Sequence, residues 1–205
     1  MLITNDNKLG GYVVGFCPNG QILLTCSNYE IKLWDIKKKL CLQTFSAYDE
    51  IVNDWDLGYQ SLCLSPDGKI LAIGSEECII LWDLKKNTLL RTFSGDGYIW
   101  FVDNMTFSPD GRILATISDD QTIMLWDIET RKHLYTFDKT KLTIQIDFSP
   151  CSKVFLFLHV CKRSDTIVEL FDIETKQFLQ NFKGEGESIY SAEFGENKNT
   201  LFLET

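Results

Sequence analysis

The chain has 205 residues, of which 44% are hydrophobic, 24% charged and 13% aromatic, and this composition is ordinary for a globular protein. Its 29 acidic and 20 basic residues give a formal net charge of −9, which disfavours binding to nucleic acid or to anionic membranes because those partners are themselves negative. No apolar run reaches the roughly 18 residues that a membrane-spanning helix needs, and residues 1–11 lack the features of a secretory signal, so we expect a cytoplasmic protein.

An internal repeat is the main feature of the sequence. The first copy occupies residues 16–45 (FCPNGQILLTCSNYEIKLWDIKKKLCLQTF), the second residues 64–93 (LSPDGKILAIGSEECIILWDLKKNTLLRTF) and the third residues 107–137 (FSPDGRILATISDDQTIMLWDIETRKHLYTF). A fourth copy opens at residue 148 with FSPCSKVFLFL and closes with LFDIETKQFLQNF, and a partial fifth begins near residue 191. The anchor aromatics follow one another at intervals of 48, 44 and 45 residues; they are Trp34, Trp82, Trp126 and Phe171.

Each copy opens with a turn and continues with short apolar runs. All four prolines of the protein occupy one repeat position, and Asn-Gly or Asp-Gly follows in three copies; the prolines are Pro18, Pro66, Pro109 and Pro150. Proline fixes φ and glycine accepts a positive φ, so this is the chemistry of a tight turn. Runs such as residues 70–73 and 79–82 are continuously apolar, which predicts strands buried on both faces. Helical spacing is absent, so the sequence predicts an all-β chain.

This repeat resembles the Trp-Asp (WD) repeat, whose unit of about 40 to 45 residues is one four-stranded blade of a β-propeller. The anchor pairs are Trp34-Asp35, Trp82-Asp83, Trp126-Asp127 and, with phenylalanine in place of tryptophan, Phe171-Asp172. The resemblance implies one domain with blades at approximately residues 12–45, 60–93, 100–137 and 143–182 and a partial fifth at 189–205. Because the aspartate recurs at one position in every copy, we expect its role to be structural.

The Gly-His pair that usually precedes a WD blade is missing throughout. In the family its histidine joins a buried hydrogen-bond network with a Ser or Thr, the tight-turn Asp and the Trp. Here the third copy keeps most of that network, in Ser118, Asp120 and Trp126. A buried polar network that lacks a member contributes less to stability. We therefore expect blades looser than a consensus repeat, with the third the best ordered.

In WD-repeat propellers the turns inside the blades and the connections between them open onto one face, the top face. The connection at residues 46–60 is longer than its equivalents, and such insertions often lie on the binding face. The candidate binding residues carried over to this face are Tyr48, Asp49, Glu50, Trp55, Asp56, Glu76, Asp96, Tyr98, Trp100 and Asp119. The face is mainly acidic with aromatics interleaved, which favours a basic peptide or loop anchored on Trp55 and Trp100. The alternative that these tryptophans pack between blades stays open.

The pattern favours a non-catalytic scaffold that binds a protein or peptide and uses no cofactor or metal. Only two histidines are present, and the serines of the Ser-Pro turns lack the GxSxG context of a nucleophile. The seven cysteines form no CxxC pair, so we expect reduced, buried thiols rather than disulfides or zinc ligands. The alternative is a regulatory or sensory module of a larger signalling protein, for example one with an ATPase or kinase domain.

Propellers close with about four to eight blades, so four blades and two strands leave an open edge. Three explanations stay open. In the first, the chain is a piece of a longer protein. In the second, it is the product of a truncated reading frame or completes the propeller by association. In the third, residues 1–9 supply the missing strands of a small closed ring.

Overall fold

The computed structural model describes residues 11–16, 21–27, 30–46, 61–74, 78–93, 102–137, 142–160, 166–184, 188–195 and 200–204. These segments contain eighteen β-strands. None of them contains a helix long and apolar enough to cross a membrane. The chain divides into two compact units, Met1–Asn104 and Met105–Thr205.

Two four-stranded sheets make up the first unit, and in both of them strands adjacent in the chain are adjacent in the sheet. The first sheet has β1 (Gly11–Phe16), β2 (Ile22–Ser27), β3 (Glu30–Asp35) and β4 (Leu40–Ser46). The second sheet has β5 (Ser61–Leu64), β6 (Ile70–Gly74), β7 (Ile79–Asp83) and β8 (Thr88–Phe93). This antiparallel order is that of a propeller blade.

Two further four-stranded sheets and one two-stranded sheet follow along the chain. The third sheet has β9 (Val102–Phe107), which contains the boundary between the units, then β10 (Ile113–Ser118), β11 (Ile123–Asp127) and β12 (Lys132–Phe137). The fourth has β13 (Leu142–Phe148), β14 (Val154–Val160), β15 (Thr166–Asp172) and β16 (Gln177–Lys183). The last has β17 (Ser191–Phe194) and β18 (Leu201–Glu204). The prediction of an all-β chain with four blades and a partial fifth is confirmed.

The two sheets of the first unit share one apolar core. Leu24, Ile31 and Leu33 of the first sheet belong to the same buried cluster as Leu71 and Trp82 of the second. Strands β6 and β7 are buried along almost their whole length, as their continuous apolar runs predict, whereas β8 is largely exposed. The middle strands therefore form the core and the last strand forms the outer edge.

Phenylalanine dominates the core of the second unit. The ring of Phe137, on the third sheet, lies 4.6 Å from that of Phe157 and 4.7 Å from that of Phe171, both on the fourth. A second cluster contains Leu158 of the fourth sheet and Ala192 of the two-stranded sheet. Within this unit each sheet thus packs on the next through its buried strands.

A β-bulge recurs at the same place in all four complete sheets. The register between the third and fourth strands shifts just before the anchor aromatic, which then faces Cys41, Leu89, His133 or Phe178 on the fourth strand. A bulge bends its strand and increases the local twist. The four copies therefore repeat their backbone geometry as well as their sequence.

Candidate functional site

Two of the anchor tryptophans are held by a threonine on the neighbouring strand. Trp34 Nε1 donates to Thr25 Oγ1 at 2.8 Å, and Trp126 Nε1 donates to Thr116 Oγ1 at 3.2 Å. Both threonines occupy the fourth position of the second strand of their blade. A buried N–H without an acceptor is costly, so each threonine stabilises the tryptophan beside it.

The other two blades lack this threonine and handle the anchor position differently. In the second blade Ile73 takes the threonine position, and Trp82 Nε1 donates instead to Asn87 Oδ1 at 3.4 Å. In the fourth blade Phe157 takes that position. The anchor there is Phe171, whose side chain has no N–H that needs an acceptor. Where the second strand offers no hydroxyl, the indole N–H donates to another acceptor or the anchor residue has no indole.

The aspartate after each anchor aromatic closes the turn that follows it. The Oδ1 atoms of Asp35, Asp83, Asp127 and Asp172 accept backbone N–H groups two or three residues further on, at 2.5–2.9 Å. These backbone hydrogen bonds favour the charged carboxylate and hold the pKa of Asp35, Asp83 and Asp172 below the usual range. The four carboxylates are therefore engaged in turn formation.

The serines of the Ser-Pro turns are buried and bonded to the turn backbone. Ser65, Ser108 and Ser149 each accept, through Oγ, the N–H of the residue five positions later, at 2.9–3.0 Å. Ser65 and Ser108 also donate to Asp67 Oδ1 and Asp110 Oδ1 at 2.7 Å. Hydroxyls used in this way are turn elements and not nucleophiles.

Ser118 and Asp120, which the sequence groups with Trp126, shape the turn between β10 and β11. Ser118 N donates to Thr122 O at 3.0 Å, and Asp120 Oδ1 accepts the N–H of Thr122 at 2.9 Å. The hydroxyl that receives the indole N–H of Trp126 belongs to Thr116, two residues before Ser118. The sequence pattern did not single out Thr116, although its recurrence as Thr25 in the first copy was a usable signal.

A buried polar chain crosses the first three strands of the fourth blade. His159 is 7% exposed, its Nδ1 lies 2.9 Å from Thr143 Oγ1, and its Nε2 lies 3.1 Å from Glu169 Oε2. Thr143 N donates to Gln121 Oε1 at 3.0 Å, which links this chain to the third blade. Hydroxyl, imidazole and carboxylate follow one another as in a nucleophile–base–acid series. Here the hydroxyl and the imidazole are buried, the carboxylate of Glu169 is partly exposed, and the three side chains stabilise one another.

The second histidine, His133, lies exposed on β12. Its Nε2 is 2.7 Å from Thr136 Oγ1, and its ring meets that of Trp126 edge-on with the centroids 5.4 Å apart. Among the segments that the structure describes, no three His, Cys, Asp or Glu side chains are placed to hold a metal ion. The contacts of His133 are those of an outer-strand residue.

Of the ten candidate residues on the top face, one lies in the described part of the chain. Asp119 is exposed in the turn between β10 and β11. The other nine fall outside the described residues; they are Tyr48, Asp49, Glu50, Trp55, Asp56, Glu76, Asp96, Tyr98 and Trp100. Their assembly into one face stays a prediction.

Comparison with known families agrees with the repeat geometry. The family model described as "WD domain, G-beta repeat" matches residues 12–35, 39–83 and 87–127, which together make up more than half of the chain. The chain belongs to the WD-repeat family. The matched segments end at residue 127, before the fourth blade, in which phenylalanine replaces the anchor tryptophan.

Several curated proteins are similar to part of the chain. The small ribosomal subunit protein RACK1 of Neurospora crassa is 31% identical over 93 residues, which are 45% of this chain and 28% of that protein. RACK1 of Caenorhabditis elegans is 32% identical over 89 residues, or 43% and 26% of the two chains. Cross-pathway control WD-repeat protein 2 of Flammulina velutipes is 30% identical over 87 residues, or 42% and 26%. The chain thus spans little more than a quarter of the length of these relatives.

Proposed function

We propose that the chain is a non-catalytic scaffold that binds another protein. This proposal rests on one observation. The polar side chains that recur in successive blades form their hydrogen bonds within the blades. Ser108 and Asp127 close turns, and Thr116 holds Trp126. Binding of a partner would then fall to the exposed turns and connections, because loops held on a rigid scaffold commonly carry binding residues.

The partner we propose for the top face is a basic peptide or loop. The candidate residues on this face are mostly carboxylates, and Asp119, the one that the structure describes, is exposed. Tryptophan and tyrosine are enriched among the residues that dominate binding energy, so Trp55 and Trp100 are the proposed anchors. Opposite charges across an interface favour encounter and select the partner.

A protein partner is favoured over nucleic acid. Two of the similar proteins are named small ribosomal subunit proteins, a name that applies to those two proteins. The present chain carries a net charge of −9, and affinity for nucleic acid rests largely on Lys and Arg that neutralise phosphates. We therefore propose recognition of a protein surface and not of an RNA backbone. The alternative role as a regulatory module of a larger signalling protein stays a prediction.

Charge reversal at Asp119 tests the proposed face. Binding of fluorescein-labelled Lys- and Arg-rich peptides to the 205-residue chain is measured by fluorescence anisotropy. We expect Asp119→Lys to weaken binding by about three- to tenfold, because an exposed attraction becomes a repulsion.

Glu129→Lys is the matched control for this experiment. Glu129 is also exposed and lies in the same blade, and its substitution changes the net charge by the same amount. It sits, however, in the turn at the other end of β11. The control should leave the affinity unchanged. Equal losses in both variants, or no loss in either, would contradict binding at the top face.

A further inference from the structure

Positive charge is concentrated in the two turns of the first unit that join the third and fourth strands of each sheet. The lysines are Lys37, Lys38 and Lys39 between β3 and β4, and Lys85 and Lys86 between β7 and β8. The corresponding turns of the second unit, residues 128–131 and 173–176, each combine one basic residue with a glutamate. A chain with a net charge of −9 thus has a local basic surface.

All five lysines are exposed, and two of them have an acidic neighbour. Lys38 Nζ lies 3.5 Å from Asp35 Oδ2, and Lys86 Nζ lies 3.7 Å from Asp83 Oδ2. Both aspartates already accept backbone N–H groups in the same turns. Within the described segments the other three lysines form no ion pair.

Exposed apolar side chains stand beside these lysines. Ile36 is 39% exposed, Leu40 58%, Leu42 51% and Leu89 53%. The leucines lie on β4 and β8, the outermost strands of their sheets. Clustered apolar side chains at a surface are typical of binding sites, and an outer strand can also pair with an extended segment of a partner.

The two turns belong to one surface because the sheets that carry them are packed together. Gln43 Nε2, on β4, donates to Asn87 Oδ1, the residue after Lys86, at 3.0 Å. Leu33 and Trp82 of the two sheets lie in one buried cluster. We call this surface the basic–leucine patch; its residues are Ile36, Lys37, Lys38, Lys39, Leu40, Leu42, Lys85, Lys86 and Leu89.

We propose that the basic–leucine patch binds an acidic segment of a partner protein that also carries apolar side chains. Such a segment would satisfy the lysines and cover the leucines together, whereas an RNA backbone would use the lysines alone. An anionic membrane extends beyond the patch and would also meet the repulsion of the acidic side chains elsewhere on the chain, whereas a short segment is confined to the lysines and leucines. The patch lies on turns other than those of the proposed top face, and the inference does not rest on the function assigned to that face.

A labelled peptide that alternates Glu with Leu is the probe, and its binding to the 205-residue chain is measured by fluorescence anisotropy. We expect Lys37→Glu with Lys85→Glu to weaken binding by about tenfold, because two attractions become repulsions. Leu40→Ser with Leu89→Ser should weaken it by a similar factor, since the apolar contact is lost. All four side chains are exposed, and a circular dichroism melt of each variant checks that the fold is kept.

Matched controls come from the second unit. Lys132→Glu with Lys183→Glu makes the same charge change at exposed positions, and Leu142→Ser with Leu179→Ser removes two leucines that are 51% and 54% exposed. Neither control should change peptide binding. Equal effects of the controls, tighter binding of oligouridine or of phosphatidylserine vesicles than of the peptide, or no binding of the peptide would overturn the proposal. Dimerisation of the chain through this patch, detected by light scattering, would overturn it too, because the occupant would then be a second copy.

Discussion

In two blades the second strand supplies the acceptor for the indole N–H of the anchor residue. Thr25 and Thr116 stand where Trp34 and Trp126 need an acceptor. In the fourth blade neither the hydroxyl nor the indole is present, and Phe171 packs among other phenylalanines. Each of the three indole N–H groups thus has an acceptor, which is a threonine in two blades and Asn87 in the second, because a buried donor without an acceptor costs about 1–3 kcal/mol.

Replacing Thr116 by valine tests this coupling. Thr116→Val keeps the shape of the side chain but leaves Trp126 Nε1 without its hydroxyl, so we expect the free energy of unfolding to fall by about 1–2 kcal/mol. Urea unfolding followed by tryptophan fluorescence measures the change. Thr136→Val, at an exposed position on β12, is the control and should change stability by less than about 0.5 kcal/mol. Equal losses for the two variants would show that the indole bond contributes nothing specific.

Strand-to-strand packing in the second unit places two carboxyl groups near each other. Asp147 on β13 is partly buried, and Glu193 lies on β17, which packs on β13. Desolvation by burial raises the pKa of Asp147, the hydrogen bond from Phe148 N opposes this, and the negative charge of Glu193 raises it further. Burial and the charge of Glu193 therefore make ionisation of Asp147 less favourable in the folded protein than in the unfolded chain.

Asp147→Asn should raise the thermal unfolding midpoint at pH 7. Because the folded pKa lies above the ordinary value of 3.8, the contribution of Asp147 to stability is fully present below that value and is lost as the pH rises through the folded pKa. The advantage of the variant should therefore shrink as the pH is lowered towards the ordinary value and below it. Scanning calorimetry across this range measures it, with the exposed Asp119→Asn as the control for loss of one charge. A midpoint that falls at pH 7 would contradict the assignment.

The strands and turns could be predicted from the sequence because their signals are local and repeated. The Pro-Asp-Gly turns bring Gly68 and Gly111 to φ values of 70° and 73°, and the apolar runs become the buried middle strands. The hydrogen bond from Trp82 to Asn87 could not be predicted, because it depends on the conformation of a turn in which Asn87 itself has a φ of 56°. The contacts of His159 depend on strand register, which one sequence does not specify.

Charge is distributed unevenly over the whole chain. The net charge is −9, yet lysines cluster beside exposed leucines in the turns of the first unit, while the proposed binding residues of the top face are mostly acidic. Two surfaces of opposite sign would let one scaffold bind two partners of different chemistry. How the blades complete a ring stays a prediction.

Capture of a protein partner tests the central claim of a scaffold that binds through its top face. The 205-residue chain is immobilised and exposed to an RNase-treated extract of the cells from which it comes, and retained proteins are quantified by mass spectrometry. Trp55→Ala with Trp100→Ala is compared with the wild type and with His133→Ala, which removes an exposed ring from β12. We predict a protein retained by the wild type and by His133→Ala but lost with the double variant. Retention that requires RNA, or that the double variant leaves unchanged, would contradict the account.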